Sequence, residues 1–250
     1  MAHRGRLSPD APRVGDDGRV KIVGVAIPGG TPVFSRTLAH GADPHRVAWE
    51  LGFRIQRPLS VVGRGDELAL TVLVTPHQRS VAVLPPQRIR SMDPGLRLDR
   101  GVTPVRRQRI AAYAIVVSSA GLLATEFSDR TAVPGLWGLP GGGIDPDEVP
   151  AQAVQREVFE ETGQDIELVC LLDLQTDHWI GRAPSGAIED FHAVRIIYAA
   201  LCPEPSEPVV HDAGGTTAST RWVEAAHWAD LPWATGVRTL LERHLPRLLG

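Results

Sequence analysis

The chain has 250 residues, which is enough for one large domain or two small ones. Hydrophobic residues make up 43% and charged residues 22%, as in a globular protein, and this composition excludes a chain that is disordered throughout. The formal net charge of −3 provides no overall basic field. A dedicated DNA-binding protein is therefore disfavoured, and duplex nucleic acid is not an expected partner.

The apolar runs and the cysteines of the sequence indicate where the protein is located and whether it forms disulfides. No apolar run approaches the roughly 20 residues that cross a bilayer, and the opening segment lacks the apolar centre of a signal peptide. We therefore expect a cytoplasmic protein without a membrane partner. Cys170 and Cys202 are too few and too far apart for a disulfide framework or a zinc ribbon, so we interpret both as small buried hydrophobic residues.

The first half of the chain predicts a small α+β domain at residues 18–82. Residues 1–17 are polar and lack periodicity, which predicts a flexible tail. Gly52 is expected to end the one helix of the domain. The predicted elements are strands at 20–27 and 31–39, a helix at 44–51, and strands at 54–62 and 68–75.

A linker is predicted at residues 83–105. Its four prolines remove backbone donors and fix φ, so no hydrophobic period survives. Arginines outnumber acidic residues in and just after this stretch, which makes a local basic strip. Two interpretations stay open: a solvated linker, or a strip that lies over an anionic site.

A second domain is predicted at residues 106–250. Strand-like runs alternate with Gly- and Pro-rich turns, and two segments have helical periodicity. The predicted elements are strands at 109–117, 122–127, 167–173, 192–201 and 221–223, and helices at 150–162 and 237–245.

The helix predicted at 150–162 has an acidic face. At 100° per residue, Glu157, Glu160 and Glu161 fall within an arc of roughly 100°. Like charges three or four residues apart each cost about 0.2 to 0.5 kcal/mol, and the last helical turn favours cations instead. A hard divalent cation such as Mg²⁺ would relieve this repulsion. A solvated acidic helix end is the alternative.

The residues around this helix complete a longer pattern. Gly142, then Glu148, then the run REVFEETG at 156–163 match the Nudix box. That pattern is Gly, five residues, Glu, seven residues, Arg-Glu, an aliphatic residue, any residue, Glu-Glu, any residue, Gly and an aliphatic residue. The last position alone departs, because Gln164 replaces the aliphatic residue. Residues 109–250 therefore resemble the Nudix hydrolase family.

The resemblance implies an α/β (α+β) fold, in which the box helix and a C-terminal helix flank the mixed β-sheet of an α/β/α sandwich. It also implies hydrolysis of the pyrophosphate linkage in a nucleoside diphosphate derivative, with Mg²⁺ or Mn²⁺ as cofactor. Such a small molecule is the expected partner, and a second copy of the chain is a further candidate. The implied metal ligands are Glu157, Glu160, Glu161 and the carbonyl of Gly141.

Further roles follow from the same resemblance. Arg156 would orient the carboxylates, and Glu148 would anchor Arg156 or act in the outer shell of the site. The implied catalytic residues are Glu148, Arg156, Glu157 and Glu161. The base is left open between Glu161 in the box and the pair Glu189 and Asp190. Trp137 and Arg195 are candidate substrate-binding residues.

The substrate itself is not identified by the sequence. Residues 175–185 (QTDHWIGRAPS) fit none of the subfamily markers for ADP-ribose, dinucleoside polyphosphates or NADH. A module that senses a nucleotide metabolite without cutting it is the alternative function, although all three box glutamates are present. An isopentenyl diphosphate isomerase on the same fold would need a catalytic cysteine.

The first domain aligns weakly with the second. Placing Gly52 on Gly163, an offset of 111 residues, puts Glu50 on Glu161 and Val47 on Val158. Both halves then contain a hairpin, a helix ending in Gly, and two strands. We expect either a degenerate Nudix-like repeat used for packing or dimerisation, or an unrelated α+β appendage.

Overall fold

The computed structural model describes residues 20–77, 91–93, 95–99, 101–131, 133–183, 186–211 and 215–249. The predicted tail at 1–17 lies outside the described residues, as do residues 83–90 of the predicted linker. Within the described part of the chain, no helix is long and apolar enough to cross a membrane.

A small sheet and one helix form the N-terminal unit, at the places that the sequence predicts. Its elements are β1 (Lys21–Val25), β2 (Pro32–Thr37), α1 (Pro44–Glu50), β3 (Phe53–Arg64) and β4 (Glu67–Pro76). The strand order is β2-β1-β4-β3, with β1 and β4 parallel and the other neighbours antiparallel. The side chain of Asp43 caps α1 by accepting a hydrogen bond from the backbone N–H of Arg46 at 3.0 Å.

A larger mixed sheet forms the C-terminal unit. Its elements are β5 (Ser91–Met92), β6 (Val105–Ser118), β7 (Gly121–Phe127), β8 (Trp137–Gly138), β9 (Gly141–Gly143), α2 (Pro150–Thr162), β10 (Glu167–Arg182), β11 (Ile188–Leu201), β12 (Thr217–Val223) and α3 (Thr235–Leu248). The strand order is β12-β7-β6-β11-β10-β5, while β8 pairs with β7 and β9 with β6. The central pair, β6 and β11, is parallel.

The two helices cover opposite faces of this sheet. Ala112 and Ala114 of β6 belong to the same buried cluster as Val154 and Val158 of α2. Ile115 and Val117 of β6 point the other way and pack in a second cluster with Leu240, Leu241 and Leu245 of α3. This arrangement is an α/β/α sandwich, so the predicted fold class is confirmed.

Helix α2 has the predicted bounds. Pro150 stands in its first turn, where no backbone donor is needed. Gly163 ends it in the left-handed region, at φ +67°, and its N–H donates to the carbonyl of Phe159 at 2.8 Å. Gln164, the one departure from the box pattern, is buried, and its side chain bonds Ser206 instead of packing as an aliphatic residue.

Several sequence predictions were wrong in detail. Strand β10 continues to Arg182 and β11 begins at Ile188, so residues 174–182 and 188–191 are strands and not loop. Ser91 and Met92, inside the predicted linker, form β5 and pair with Trp179 and Ile180. Cys202 is buried as expected, but Cys170 is exposed, beside an irregularity in the β10–β11 register.

The two units share one topology and one core. In the large sheet the order β7-β6-β11-β10 repeats the small sheet's β2-β1-β4-β3, including the parallel central pair and the helix that precedes β10 or β3. A single buried cluster contains Ile22 and Leu70 of the small sheet together with Ile110 and Val194 of the large one. The N-terminal unit therefore packs on the α2 side of the large sheet.

Candidate active site

Arg156 lies at the centre of the box carboxylates. Its guanidinium donates to both oxygens of Glu148 at 3.0 and 2.9 Å, to Glu157 at 2.9 Å and to Glu160 at 3.1 Å. A further bond reaches the carbonyl of Gly143 at 3.0 Å. One arginine of α2 therefore joins the loop before the helix to the acidic face of the helix.

The pair of Glu148 and Arg156 is a two-point contact across eight residues. The hydrogen bond from Arg156 lowers the pKa of the Glu148 carboxyl, and the bond to Glu148 raises the pKa of the guanidinium. Both groups are therefore held charged near neutral pH. The expected roles of Arg156 in orienting the carboxylates and of Glu148 in anchoring Arg156 fit these contacts.

Glu157 is enclosed between α2 and the segment Gly141–Gly143, which we call the glycine loop. A Cβ added to Gly142 would lie 2.5 Å from the Glu157 carboxylate, so only glycine leaves the carboxylate where it is. Burial raises the pKa of the Glu157 carboxyl, which means that its charged form lacks full solvation. A cation bound at this position would stabilise the charged carboxylate in place of the lost water.

Glu161 is buried, with 8% of its surface exposed. Its Oε2 accepts a hydrogen bond from the backbone N–H of Gly141 at 3.0 Å, and its Oε1 accepts one from the hydroxyl of Thr217 at 2.6 Å. Thr217 was not predicted from the sequence, because it follows Glu161 by 56 residues, at the start of β12, and has no local signal. Glu161 is thus fixed between α2, the glycine loop and β12.

Glu160 is the most open of the three box glutamates, with 45% of its side chain exposed. The four carboxylates of Glu148, Glu157, Glu160 and Glu161 carry −4 and Arg156 carries +1, so this group has a formal charge of −3. Oxygen ligands with excess negative charge are the donor set that hard divalent cations prefer. The residues present therefore fit a divalent metal ion.

The glycine loop approaches β6 closely. Gly141 has φ +137°, and a Cβ there would lie 2.3 Å from the carbonyl oxygen of Ala112. In the register of β9 with β6, Gly141 pairs with Tyr113. Glycine is required because the backbone conformation and the close approach both exclude a side chain.

The two predicted substrate-binding residues lie in different surroundings. Trp137 has 8% of its surface exposed, and the guanidinium of Arg221 stacks over its ring at 4.4 Å. Arg195 is half-buried and forms an ion pair with Asp177 of β10. Arg195 also interacts with the phenol of Tyr113. Burial raises the pKa of Tyr113, and the charges of Glu161 and Glu157 raise it further.

The two alternative base candidates have other partners. Glu189 forms an ion pair with Arg107 at 3.0 Å. Asp190 accepts a hydrogen bond from His178 at 2.6 Å and lies 3.3 Å from His40. The structure thus brings Glu148, Glu157 and Glu160 together on Arg156 and holds Glu161 on the N–H of Gly141. The carboxylates of Glu189 and Asp190 lie in separate polar groups.

The chain matches a known family and named relatives. The NUDIX domain family model matches residues 107–243. The nucleoside triphosphatase NudI of Enterobacter sp. (strain 638) is 30% identical over 99 residues, or 39% of this chain and 70% of that protein. NudI of Escherichia coli O1:K1 / APEC is 38% identical over 64 residues, or 26% of this chain and 45% of that protein. The chain spans about half the length of that Escherichia coli relative.

Solved structures are also similar to part of this chain. The NUDIX domain of Shewanella oneidensis NrtR, in complex with ADP ribose, is 25% identical with a TM-score of 0.43, covering 57% of this chain and 89% of that one. The MutT NUDIX hydrolase from Burkholderia pseudomallei is 27% identical with a TM-score of 0.39, covering 55% of this chain and 98% of that one.

Proposed function

Because the chain belongs to the Nudix family and is a pyrophosphohydrolase of that family, we propose that its substrate is a nucleoside diphosphate linked to a further group and that its divalent cation is Mg²⁺. The observation that carries this proposal is the grouping of the box carboxylates: Arg156 bonds Glu148, Glu157 and Glu160, and Glu161 bonds the N–H of Gly141 beside them. Mg²⁺ is favoured over softer ions because the ligands are carboxylate and carbonyl oxygens.

The reaction consumes one water molecule and breaks one phosphorus–oxygen bond of the diphosphate. Its products are a nucleoside monophosphate and the phosphorylated second group. When bound, the divalent cation supplies charge neutralisation of the pyrophosphate and a lowered pKa for the attacking water. Positioning and charge stabilisation are most of what phosphoryl transfer requires, and a rigid loop and helix can provide both.

The chain's own residues divide this work. Glu157, Glu160, Glu161 and the carbonyl of Gly141 would hold the cation, as the family pattern implies. Arg156 holds Glu157 and Glu160 in position and Glu148 keeps Arg156 in place, through the bonds described above. We retain Glu161 as the candidate base because it lies among the box residues, whereas Asp190 and Glu189 lie in other polar groups, with His178 and Arg107.

A nucleoside triphosphate is our first choice of substrate. The two relatives named above are nucleoside triphosphatases, and a triphosphate is a nucleoside diphosphate joined to one further phosphate. Arg195 lies beside Tyr113, which pairs with Gly141, so its guanidinium is a candidate contact for the substrate phosphates. Trp137 is a candidate for contact with the base, although its burial requires the ring to present an edge.

An assay of the full chain with Mg²⁺ tests this function. The panel contains nucleoside triphosphates, nucleoside diphosphate sugars, dinucleoside polyphosphates and prenyl diphosphates, with products separated by anion exchange. We expect release of a nucleoside monophosphate from a member of the panel, and loss of at least about 100-fold in the variant E157Q. The control E50Q alters the exposed glutamate of α1 that aligns with Glu161, and should keep full activity. No turnover of any compound would refute the proposal.

The N-terminal unit is proposed to be a degenerate copy that supports the active-site loop. Its helix carries an Arg46–Glu50 ion pair at 2.9 Å where α2 carries Glu157 and Glu161. Its β3–β4 turn holds the loop before α2, because Gly65 N–H donates to the carbonyl of Glu148 at 2.9 Å and Arg64 donates to that of Asp147. R64A should therefore lower kcat, whereas R36A, which removes an exposed arginine of β2, should not; equal rates would contradict this role.

A further inference from the structure

Two histidines and an aspartate meet where the N-terminal unit packs on the large sheet. His40 lies between β2 and α1, His178 is on β10 and Asp190 is on β11. His178 Nε2 lies 2.6 Å from Asp190 Oδ1, and His40 Nε2 lies 3.3 Å from the same oxygen. One donor atom from each residue falls within 4.8 Å of the other two. This group is separate from the carboxylates around Arg156.

His40 is the unexplained member of the group. Its side chain is 8% exposed, and neither ring nitrogen makes a hydrogen bond to a described residue, although Nε2 lies within ion-pair distance of Asp190, at 3.3 Å. A buried imidazole that makes no hydrogen bond costs free energy, and coordination of a metal ion would satisfy it. The open nitrogen Nε2 faces Asp190 and the ring of His178, which is 5.3 Å away, edge to face.

A third histidine beside this group is already satisfied. His192 Nε2 donates to the carbonyl of Ala42 at 3.1 Å, and its Nδ1 lies 2.8 Å from the amide nitrogen of Gln108, which can only donate. Its ring lies 5.5 Å from that of His40. Both ring nitrogens of His192 are therefore bonded, and His192 offers no free nitrogen to a ligand.

The backbone is arranged to bring His40 to this place. Gly41 has φ +76°, and a Cβ there would lie 2.5 Å from the imidazole of His178. The neighbouring Asp43 accepts a hydrogen bond from the hydroxyl of Thr176 on β10 at 2.8 Å. The segment that carries His40 is therefore held against β10 on both sides of Gly41.

We propose that His40, His178 and Asp190 bind a divalent transition-metal ion of the zinc type at the junction of the two units. Imidazole nitrogen and carboxylate oxygen are typical zinc ligands at about 2.0 to 2.1 Å, which in a tetrahedral site places ligand atoms about 3.3 Å apart. The spacing of His40 and Asp190 already matches, while the hydrogen bond from His178 to Asp190 would open to that length. Mg²⁺ prefers oxygen ligands, so the imidazoles separate this site from the carboxylate site.

The ion would link the two units, because one ligand comes from the N-terminal unit and two come from the large sheet. Three protein ligands leave one coordination position for water. The proposed site is independent of the hydrolytic activity, and it is tested through the metal content and the stability of the protein. A histidine–aspartate ion pair without metal is the competing explanation.

The test uses the full chain, stripped with a chelator and dialysed against Zn²⁺ in a large excess of Mg²⁺, which occupies the carboxylate site. We expect one zinc per chain by elemental analysis and a higher melting temperature than in the stripped protein. H40A and D190N should lose both effects. The control H227A removes an exposed histidine paired with Asp230 and should keep both. Zinc content unchanged in H40A, or no bound zinc in the wild type, would overturn the proposal.

A second measurement covers the case in which H40A or D190N does not fold. Titration of the wild-type chain with Co²⁺, again in excess Mg²⁺, should give visible absorption bands of a tetrahedral nitrogen and oxygen site that saturate at one ion per chain and that added Zn²⁺ removes. Absence of these bands would count against the site. Loss of hydrolysis alone would leave this result unchanged, so failure of the proposed function can be distinguished from failure of the metal site.

Discussion

Arg156 and Glu148 form a two-point ion pair, in which two guanidinium nitrogens each donate to a different carboxylate oxygen, at 3.0 and 2.9 Å. The planar guanidinium matches the carboxylate, its third nitrogen Nη1 donates to Glu157 and Glu160, and Nη2 also donates to the carbonyl of Gly143. Because this one group connects the loop to the helix, the geometry of the acidic site depends on its shape as well as on its charge.

The variant R156K tests that dependence. Lysine keeps the positive charge, but its single nitrogen cannot make the two parallel bonds to Glu148 and at the same time bond Glu157. The carboxylates should therefore lose their fixed positions. We expect kcat/KM to fall about 10- to 100-fold and the Mg²⁺ concentration for half-maximal activity to rise. The control is R46K, which alters the Arg46–Glu50 pair on α1. Equal kinetics for R156K and wild type would show that charge alone is needed.

The contact between Gly142 and Glu157 gives a second prediction. In G142A the new Cβ would meet the end of a flexible side chain, so the Glu157 carboxylate should move while the backbone stays in place. We expect activity to fall by about 10-fold or more with little change in melting temperature, since a small displacement of a catalytic group is enough for such a loss. Gly143 has open space at its Cβ position, so G143A is the matched control and should behave as wild type. A normal rate for G142A would mean that the position of Glu157 is not critical.

The sequence predicts the elements that carry strong local signals. Helix α2 begins at Pro150 and is capped by Gly163, as its pattern indicates, and the strands and helix of the N-terminal unit lie where alternation and Gly52 place them. Both signals are local: proline fixes φ at the start of the helix, glycine permits the left-handed conformation that ends it, and the period of the apolar residues indicates the element type.

What the sequence does not predict depends on partners that are distant in the chain. Residues 174–182 are polar on one side and look like a loop, yet they pair with β11 over their whole length. Thr217 binds Glu161 across 56 residues, and His40 meets His178 only when the two units pack together. The topology common to both sheets is visible in the strand pairing, whereas the aligned sequences share too few residues to reveal it.

A buried carboxylate on the α3 side predicts a pH-dependent contribution to stability. Burial alone would raise the pKa of the Asp173 carboxyl, but hydrogen bonds from His244 and from the N–H of Leu174, with the charge of Arg243, outweigh it and lower the pKa. A folded-state pKa below the unfolded value of about 3.9 stabilises the fold above that pH, and this stabilisation is lost as the pH falls through the folded value.

D173N should therefore lower the free energy of unfolding at pH 7 by about 2 kcal/mol, the size typical of hydrogen bonds to a charged group. The difference from wild type should shrink as the pH falls below about 3.9, where the unfolded carboxyl is protonated. Urea unfolding of both proteins across this range measures it. A difference that stays constant or grows in acid would contradict the assignment.

Glu160 and Glu161 separate catalysis from stability. The like-charge cost expected from the sequence is not the whole account for Glu161, because Glu161 is buried and bonded to Gly141 and Thr217. E161Q should therefore lower the melting temperature of the metal-free protein as well as activity, since the amide can accept fewer hydrogen bonds than the carboxylate. Glu160 is 45% exposed, and E160Q removes like-charge repulsion within α2, so its metal-free stability should hold or rise slightly.

The most direct test of the carboxylate site is the kcat/KM of E160Q for the best substrate at saturating Mg²⁺, with the melting temperature of the metal-free protein taken alongside. If Glu160 is a metal ligand, kcat/KM falls by at least about 100-fold, or roughly 2.7 kcal/mol of transition-state stabilisation, while the melting temperature is unchanged or higher. Near-normal turnover together with a lower melting temperature would contradict the account, because Glu160 would then be a structural residue and the metal site would lie elsewhere.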